Sequence, residues 1–263
     1  MSFQDIVVEK LENVGRITLN RPDQLNAVTR RTLDEVERAL KDFRKDSAIR
    51  TVILTGVGER AFCAGADLKG GIFTPQTDPV RGAKLARTGQ EFTEMLERYE
   101  KPVIAAVNGF AVGGGCEIAL ACDLIVASEN AQFGQTEINV GLVPGWGGTQ
   151  RLPRLAGRNK AKELIFTGDR ITANEAERIG IVNKVVPLAK LPEAALELAR
   201  KLASKSPIML RLAKQAVNRG IEMDLKSGLA EEVKAFRVCF TTQDFKEGLT
   251  AFLEKRQPKF EGK

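Results

Sequence analysis

The 263-residue chain contains no histidine. That excludes a Ser/His/Asp or Cys/His nucleophile pair, a histidine-ligated metal and an imidazole base. Acid and base chemistry must fall to carboxylates, lysine, tyrosine or cysteine. The four cysteines, Cys63, Cys116, Cys122 and Cys239, form no Cys-X-X-Cys pair. A chain of this length builds a core without disulfide staples, so they are read as reduced, small core residues. No apolar run approaches the roughly 18 residues of a membrane helix, and Met1 to Lys10 lacks the basic start and apolar centre of a secretory signal. The cytoplasm is the expected location. Net charge is modest, at +6, and suits either a polyanionic ligand or plain solubility.

One shortage is local. Although Lys and Arg make up 40 of the residues, none occurs between Pro102 and Gln150, where the only charges are Glu117, Asp123, Glu129 and Glu137. Such a stretch is built to be buried. Two of its acids stand alone in apolar, glycine-rich surroundings: Glu117 directly after GGGC, and Glu137 between FGQT and INVG. A buried carboxylate is costly unless paired, hydrogen-bonded or protonated, so two of them in core-like sequence point to a task that needs them.

Around this stretch the pattern is α/β. Ile6 to Val8 and Arg16 to Leu19 read as strands joined through Glu12-Asn13-Val14-Gly15, followed by a loop, NRPDQLNA. Thr32 and Glu35 form a capping-box pattern ahead of Leu33, Val36, Leu40 and Phe43 at helical spacing, with the helix stopping near Asp46. TVILT at 51–55 is a buried strand. GVGERA after it fits a loose dinucleotide fingerprint, but FCAGADLKGG continues without helical period, so no such cofactor site is expected. Residues 70–79 read as a polar flap, 81–99 as a helix, 103–107 as a strand, and Gly113-Gly114-Gly115 as the entry to a short helix carrying Glu117. Strands follow at 124–127, 132–135 and 182–186, with helices at 149–155, 160–166 and 174–179. From Leu191 onward no strand is read. The expected division is a core with the active site over 1–195 and a helical region over 196–263.

The GGG run ahead of a helix offers unshielded N–H groups at the positive end of the helix dipole. With an amide from the loop at Ala66, two donors can grip one carbonyl oxygen as negative charge develops on it. A thioester is the expected owner of that oxygen, since its alpha carbon can exchange a proton once the enolate is held. Glu117 and Glu137, one ionised and one neutral, then meet the needs of adding water across an adjacent double bond.

NGFAVGGGCEIALACDLIVASENAQFGQTEINVGLVPGWGGTQRL, with AFCAGADLK upstream and FLEKR near the end, closely resembles the enoyl-CoA hydratase (crotonase) family over essentially the whole chain. The resemblance implies a spiral core of repeated β-β-α units, a C-terminal helical trimerisation region and commonly a dimer of trimers. It implies acyl-CoA thioester substrates of fatty acid or related lipid metabolism, with no metal and no cofactor beyond the CoA that the substrate carries. It assigns the oxyanion hole to the amides of Ala66 and Gly114, and catalysis to Glu117 and Glu137, the latter giving the alpha carbon its proton. Ala64, Ala66, Asp67, Leu68 and Lys69 match the stretch along the CoA path. Phe252 and Lys255 match residues that reach a neighbouring subunit's CoA, the lysine at phosphate. Thr136 stands where the family carries a proline. Trp146 is bulky where some relatives are small, which predicts a short acyl pocket.

Two other functions belong to similar chains. Isomerases of this fold shift a double bond, often with one glutamate, so the pair favours hydration. Some relatives bind AU-rich RNA, and Arg30, Arg31, Arg38, Lys41, Arg44 and Lys45 give a basic helix; Asp34, Glu35, Glu37, Asp42 and Asp46 on the same helix favour a solvated mixed-charge face instead.

Overall fold

The computed structural model describes residues 3–68, 70 and 73–263. Its chain begins with a hairpin of β1 (Ile6–Leu11) and β2 (Val14–Leu19), whose turn is tighter than the sequence suggests: Leu11 pairs with Val14, and Glu12 takes a φ of 57°. The helix α1 (Arg30–Lys45) buries Leu33, Val36, Leu40 and Phe43 as its spacing predicts. Its cap is Thr29, which exchanges hydrogen bonds with Thr32, and not the expected Thr32 and Glu35 pair. Glu35 is drawn elsewhere, its buried carboxylate accepting from the N–H groups of Gln4 and Asp5.

From there the chain winds in turns that each lay one strand in a large sheet, the next in a small sheet, and then a helix. The first turn is β3 (Thr51–Gly56), β4 (Ala61–Cys63) and α2 (Pro79–Glu97); the second is β5 (Val103–Val107), β6 (Phe110–Val112) and α3 (Gly114–Leu120). The third is β7 (Leu124–Ser128) and β8 (Gln132–Gly134), followed by α4 (Gly148–Ala156) and α5 (Arg158–Thr167). A last half-turn, β9 (Ile171–Thr172), α6 (Ala173–Arg178) and β10 (Lys184–Val186), closes both sheets. The large sheet runs β1-β2-β3-β5-β7-β10, parallel after the first hairpin; the small one runs β4-β6-β8-β9, parallel except at β9. This is the α/β spiral that the sequence implied.

Parallel strands must be covered on both faces, and alternation in β3 shows how. Val52 and Leu54 point into the main core beneath α1 and α2, while Ile53 points to a second cluster with Ile104 and Val126. That second cluster is roofed by α7 (Leu191–Ala203), which buries Leu191 and whose Ala194, Ala195 and Ala199 are small enough to seat the helix directly on the sheet. The expected boundary at 195/196 therefore falls inside a helix that belongs to the core. Three more helices follow, α8 (Pro207–Gly220) with Ser206 as its N-cap, α9 (Leu225–Cys239) and α10 (Gln243–Leu253). Among the described residues no helix is long and apolar enough to cross a membrane.

Candidate active site

The site lies at the C-terminal ends of three neighbouring strands of the small sheet. β4 and β6 pair in parallel, Cys63 opposite Ala111, and each is followed by a glycine with positive φ, Gly65 at 88° and Gly113 at 54°. A side chain is strained in that region, and glycine is not. Both strands thus bend at the same level, and a Cβ placed on Gly65 would lie only 3.0 Å from the Gly114 nitrogen. Ala66 and Gly114 are thereby brought together. In the bridge between Val28 and Ala66, Val28 N–H donates to the Gly65 carbonyl and Asp67 N–H to the Val28 carbonyl, which leaves the Ala66 N–H outside the ladder. Gly114 opens α3, so its N–H has no acceptor within the helix. Two main-chain donors stand side by side.

The third strand brings Glu137. β8 pairs with β6, Gly113 N–H donates to the Gly134 carbonyl, and the chain then turns through Thr136 into a 3-10 turn beginning at Glu137. A Cβ on Gly113 would stand 3.5 Å from Glu137 Oε1. Burial, and after it the charge of Glu117, pushes the Glu137 carboxyl up to about 7, and its Oε2 is buried with no hydrogen-bond partner among the described residues. A carboxylic acid in such an environment keeps a substantial neutral fraction near pH 7, where an ordinary glutamate is fully ionised.

Glu117 projects from α3 and is 1% exposed. Its Oε1 accepts from Trp146 N–H and from Gly148 N–H, both at 2.7 Å, the latter at the opening of α4. Burial raises its pKa, against the lowering effects of these two N–H groups and of the Arg151 guanidinium. The helix end and the two donors favour the charged form, so Glu117 is the better anion of the pair and Glu137 the better acid. Trp146 itself is 5% exposed, its indole wedged between Gly89 of α2 and Gly114: a Cβ at either glycine would come within 2.0 Å or 2.8 Å of it.

The remaining expected residues divide. Ala64 and Ala66 are half-buried and Leu68 is exposed beside them, at the mouth of the same loop; Lys69 lies outside the described residues, as does part of the expected flap at 70–79. Asp67 is turned inward, 5% exposed, with its Oδ2 2.7 Å from Arg21 Nη2. Phe252, 79% exposed, and Lys255, exposed just past the end of α10, belong to the C-terminal helices. Sequence reading missed the Trp146 and Gly148 amides that grip Glu117 and the Arg21 partner of Asp67. Of the six basic residues of α1, four are seen in ion pairs: Arg30 with Asp34, Arg31 with Asp5, Arg38 with Glu35, Lys41 with Glu37. All four cysteines are free, and burial pushes the Cys63 and Cys116 thiols up to about 12, too high for a nucleophile.

Residues 9–263 match the family model described as enoyl-CoA hydratase/isomerase. A short-chain-enoyl-CoA hydratase of Clostridium acetobutylicum is 48% identical over 257 residues, spanning 98% of this chain and 97% of that one. A crotonyl-CoA hydratase of Syntrophomonas wolfei is 45% identical over 260 residues, 99% of each. The crystal structure of an enoyl-CoA hydratase from Bacillus anthracis superposes with a TM-score of 0.94 at 46% identity, over 99% of this chain and 100% of that one. With two neighbouring N–H donors, one buried and one half-buried glutamate beside them and full-length likeness of this order, the chain belongs to the enoyl-CoA hydratase/isomerase family.

Proposed function

We propose that this protein is a short-chain enoyl-CoA hydratase, adding water in syn fashion to a trans-2-enoyl-CoA to give the 3-hydroxyacyl-CoA. The observation that carries this reading is the pair of glutamates in contrasting environments next to two N–H donors without a helix or ladder partner. The thioester oxygen accepts from Ala66 N–H and Gly114 N–H. Glu117 accepts a proton from water as its oxygen bonds to the beta carbon. The double-bond electrons move toward the thioester as an enolate, and Glu137 delivers its proton to the alpha carbon. One water is consumed, Glu117 ends protonated and Glu137 ionised, and exchange with solvent restores them. Stabilising the enolate oxygen and transferring protons needs no metal or redox group, so we assign no cofactor beyond the CoA of the substrate.

The C-terminal helices support an assembly of identical chains. α8 and α9 bury no residue within the single chain, and Val217, Ile221, Leu225, Leu229, Val233 and Phe236 are all exposed along them. An apolar face of that extent calls for a partner. We assign it to further copies of this chain, as a trimer or a dimer of trimers, and place the enzyme in the cytoplasm. The test is the loss of the conjugated thioester's ultraviolet absorbance when crotonyl-CoA is added. Hydration supports the proposal; inertness toward crotonyl-CoA together with conversion of a 3-enoyl-CoA to its 2-enoyl isomer would replace it with the isomerase.

A further inference from the structure

The loop NRPDQLNA has no part in the chemistry above, yet it and the Val28 that follows it are hydrogen-bonded to the strand end that carries Ala66. Ala64 N–H donates to the Leu25 carbonyl, Val28 N–H to that of Gly65, and Asp67 N–H to that of Val28. Leu25 and Asn26 both adopt positive φ, 53° and 56°, a conformation that costs a non-glycine residue free energy and persists only where its surroundings enforce it. Here the enforcement is visible. Asn26 Oδ1 accepts from Arg21 N–H, and its Nδ2 donates to the carbonyls of Val57 and Ala61, the last being the first residue of β4.

Arg21 ties the two sides together. One arm of its guanidinium donates to the Ala27 carbonyl and the other to Asp67 Oδ2, at 2.7 Å. Both side chains are largely shielded from water, with 16% and 7% of their surface exposed. The second Asp67 oxygen accepts from Gly70 N–H. Asp67 is thus fixed on both flanks of its own peptide, one residue beyond the Ala66 amide. A buried ion pair of this kind contributes little net stability but holds geometry closely.

We propose that Arg21 and Asp67 form a positioning pair that aims the Ala66 N–H at the thioester oxygen. Neither residue touches substrate; they act through the Gly65-Ala66-Asp67 backbone. This rests on the proposed hydratase reading, since it presupposes an acyl thioester in the cleft. A donor misplaced by a fraction of an ångström loses most of its worth to a developing oxyanion while ground-state binding changes little.

The experiment compares Asp67→Asn and Arg21→Lys with the parent enzyme in crotonyl-CoA hydration and in binding 4-(dimethylamino)cinnamoyl-CoA. That ligand's absorption moves to the red as its carbonyl is polarised by hydrogen-bond donors, and reading it requires no turnover. Both variants should lose about tenfold or more in kcat, show a smaller red shift when saturated, and keep KM within about threefold. An unchanged kcat and red shift would overturn the proposal. So would a loss confined to KM, which would make Asp67 a direct CoA contact. Should the single variants unfold, Arg21→Met/Asp67→Asn removes both charges together and is measured in the same way; its unfolding too would assign the pair to stability and overturn the proposal. A parent enzyme that polarises the ligand but leaves crotonyl-CoA unhydrated would sink the hydratase reading instead, while the spectral comparison would still decide this one.

Discussion

Glu117 and Glu137 lie near enough for the charge of the first to raise the pKa of the second, yet they have opposite provisions for charge: Glu117 Oε1 is held by two N–H groups at 2.7 Å, whereas Glu137 Oε2 is buried without a hydrogen-bond partner among the described residues. On the proposed mechanism this asymmetry sets up an acid and a base from the same residue type. Glu137→Gln keeps the shape of the side chain and removes only the transferable proton. It should lower kcat for crotonyl-CoA hydration by at least about a hundredfold while leaving acyl-CoA affinity nearly intact. Steady-state kinetics and a binding titration check this, and full activity would take Glu137 out of the mechanism.

The same asymmetry predicts a pH dependence. On the proposed mechanism hydration begins with Glu137 neutral, and burial pushes its pKa up to about 7, so kcat/KM should decline as pH rises through that value. Because the charge of Glu117 is the second cause of the shift, Glu117→Gln should move the decline in its residual activity to lower pH. Stability follows the same group. A folded-state pKa above the unfolded one means a stabilising contribution fully present below the unfolded value and lost as pH rises through about 7. Its size is up to about 3 kcal/mol. Glu137→Gln should therefore gain in melting temperature relative to the parent between pH 5 and pH 8, and parallel melting curves across that range would contradict it.

How much of this was legible in the sequence depended on the reach of each signal. Glu117 and Glu137 stood out because an isolated acid in an apolar run is conspicuous wherever the chain goes. The strands β4, β6 and β9 are too short to show periodicity, so the small sheet that brings the site together was not readable. Thr32 and Glu35 fit a capping box locally, but Glu35 is claimed by Gln4 and Asp5, some thirty residues away. The amides of Trp146 and Gly148 leave no side-chain signature at all. The ion pair of Arg21 and Asp67 spans 46 positions between two irregular loops, a separation that no local pattern reports.

Trp146 was expected to shorten the acyl pocket, and its indole lies against Gly114, the residue whose N–H is proposed to meet the thioester. A ring so near the carbonyl leaves room for few methylenes beyond it. Crotonyl-CoA should be favoured over hexadecenoyl-CoA by at least about tenfold in kcat/KM, the scale of a few steric clashes. Trp146→Ala should narrow that preference, and should also cost about 3 to 5 kcal/mol for the cavity. The main-chain N–H that holds Glu117 survives the change, so turnover of crotonyl-CoA should fall less than in Glu117→Gln. Equal specificity constants for the two chain lengths in the parent enzyme would end the idea.

Lys255 follows α10 with a φ of 55° and is exposed to solvent in the single chain. An exposed ammonium has no strong structural task in its own chain, and a CoA nucleotide carries phosphates that such a group binds by charge. Lys255→Ala should then weaken CoA esters more than pantetheine esters, which lack the nucleotide. The difference should shrink as salt is raised, because an exposed ion pair is screened over about 10 Å at 0.1 M salt. If the phosphate is met across a subunit boundary, charge and assembly separate: Phe236→Asp, placed in the exposed apolar face, should break the oligomer and reproduce the loss of CoA-ester affinity with Lys255 intact. Size-exclusion chromatography and the two ester titrations measure both effects. An equal loss of both esters in Lys255→Ala would place the lysine away from the nucleotide, and an undiminished preference in a monomeric Phe236→Asp variant would put the whole CoA site within one chain.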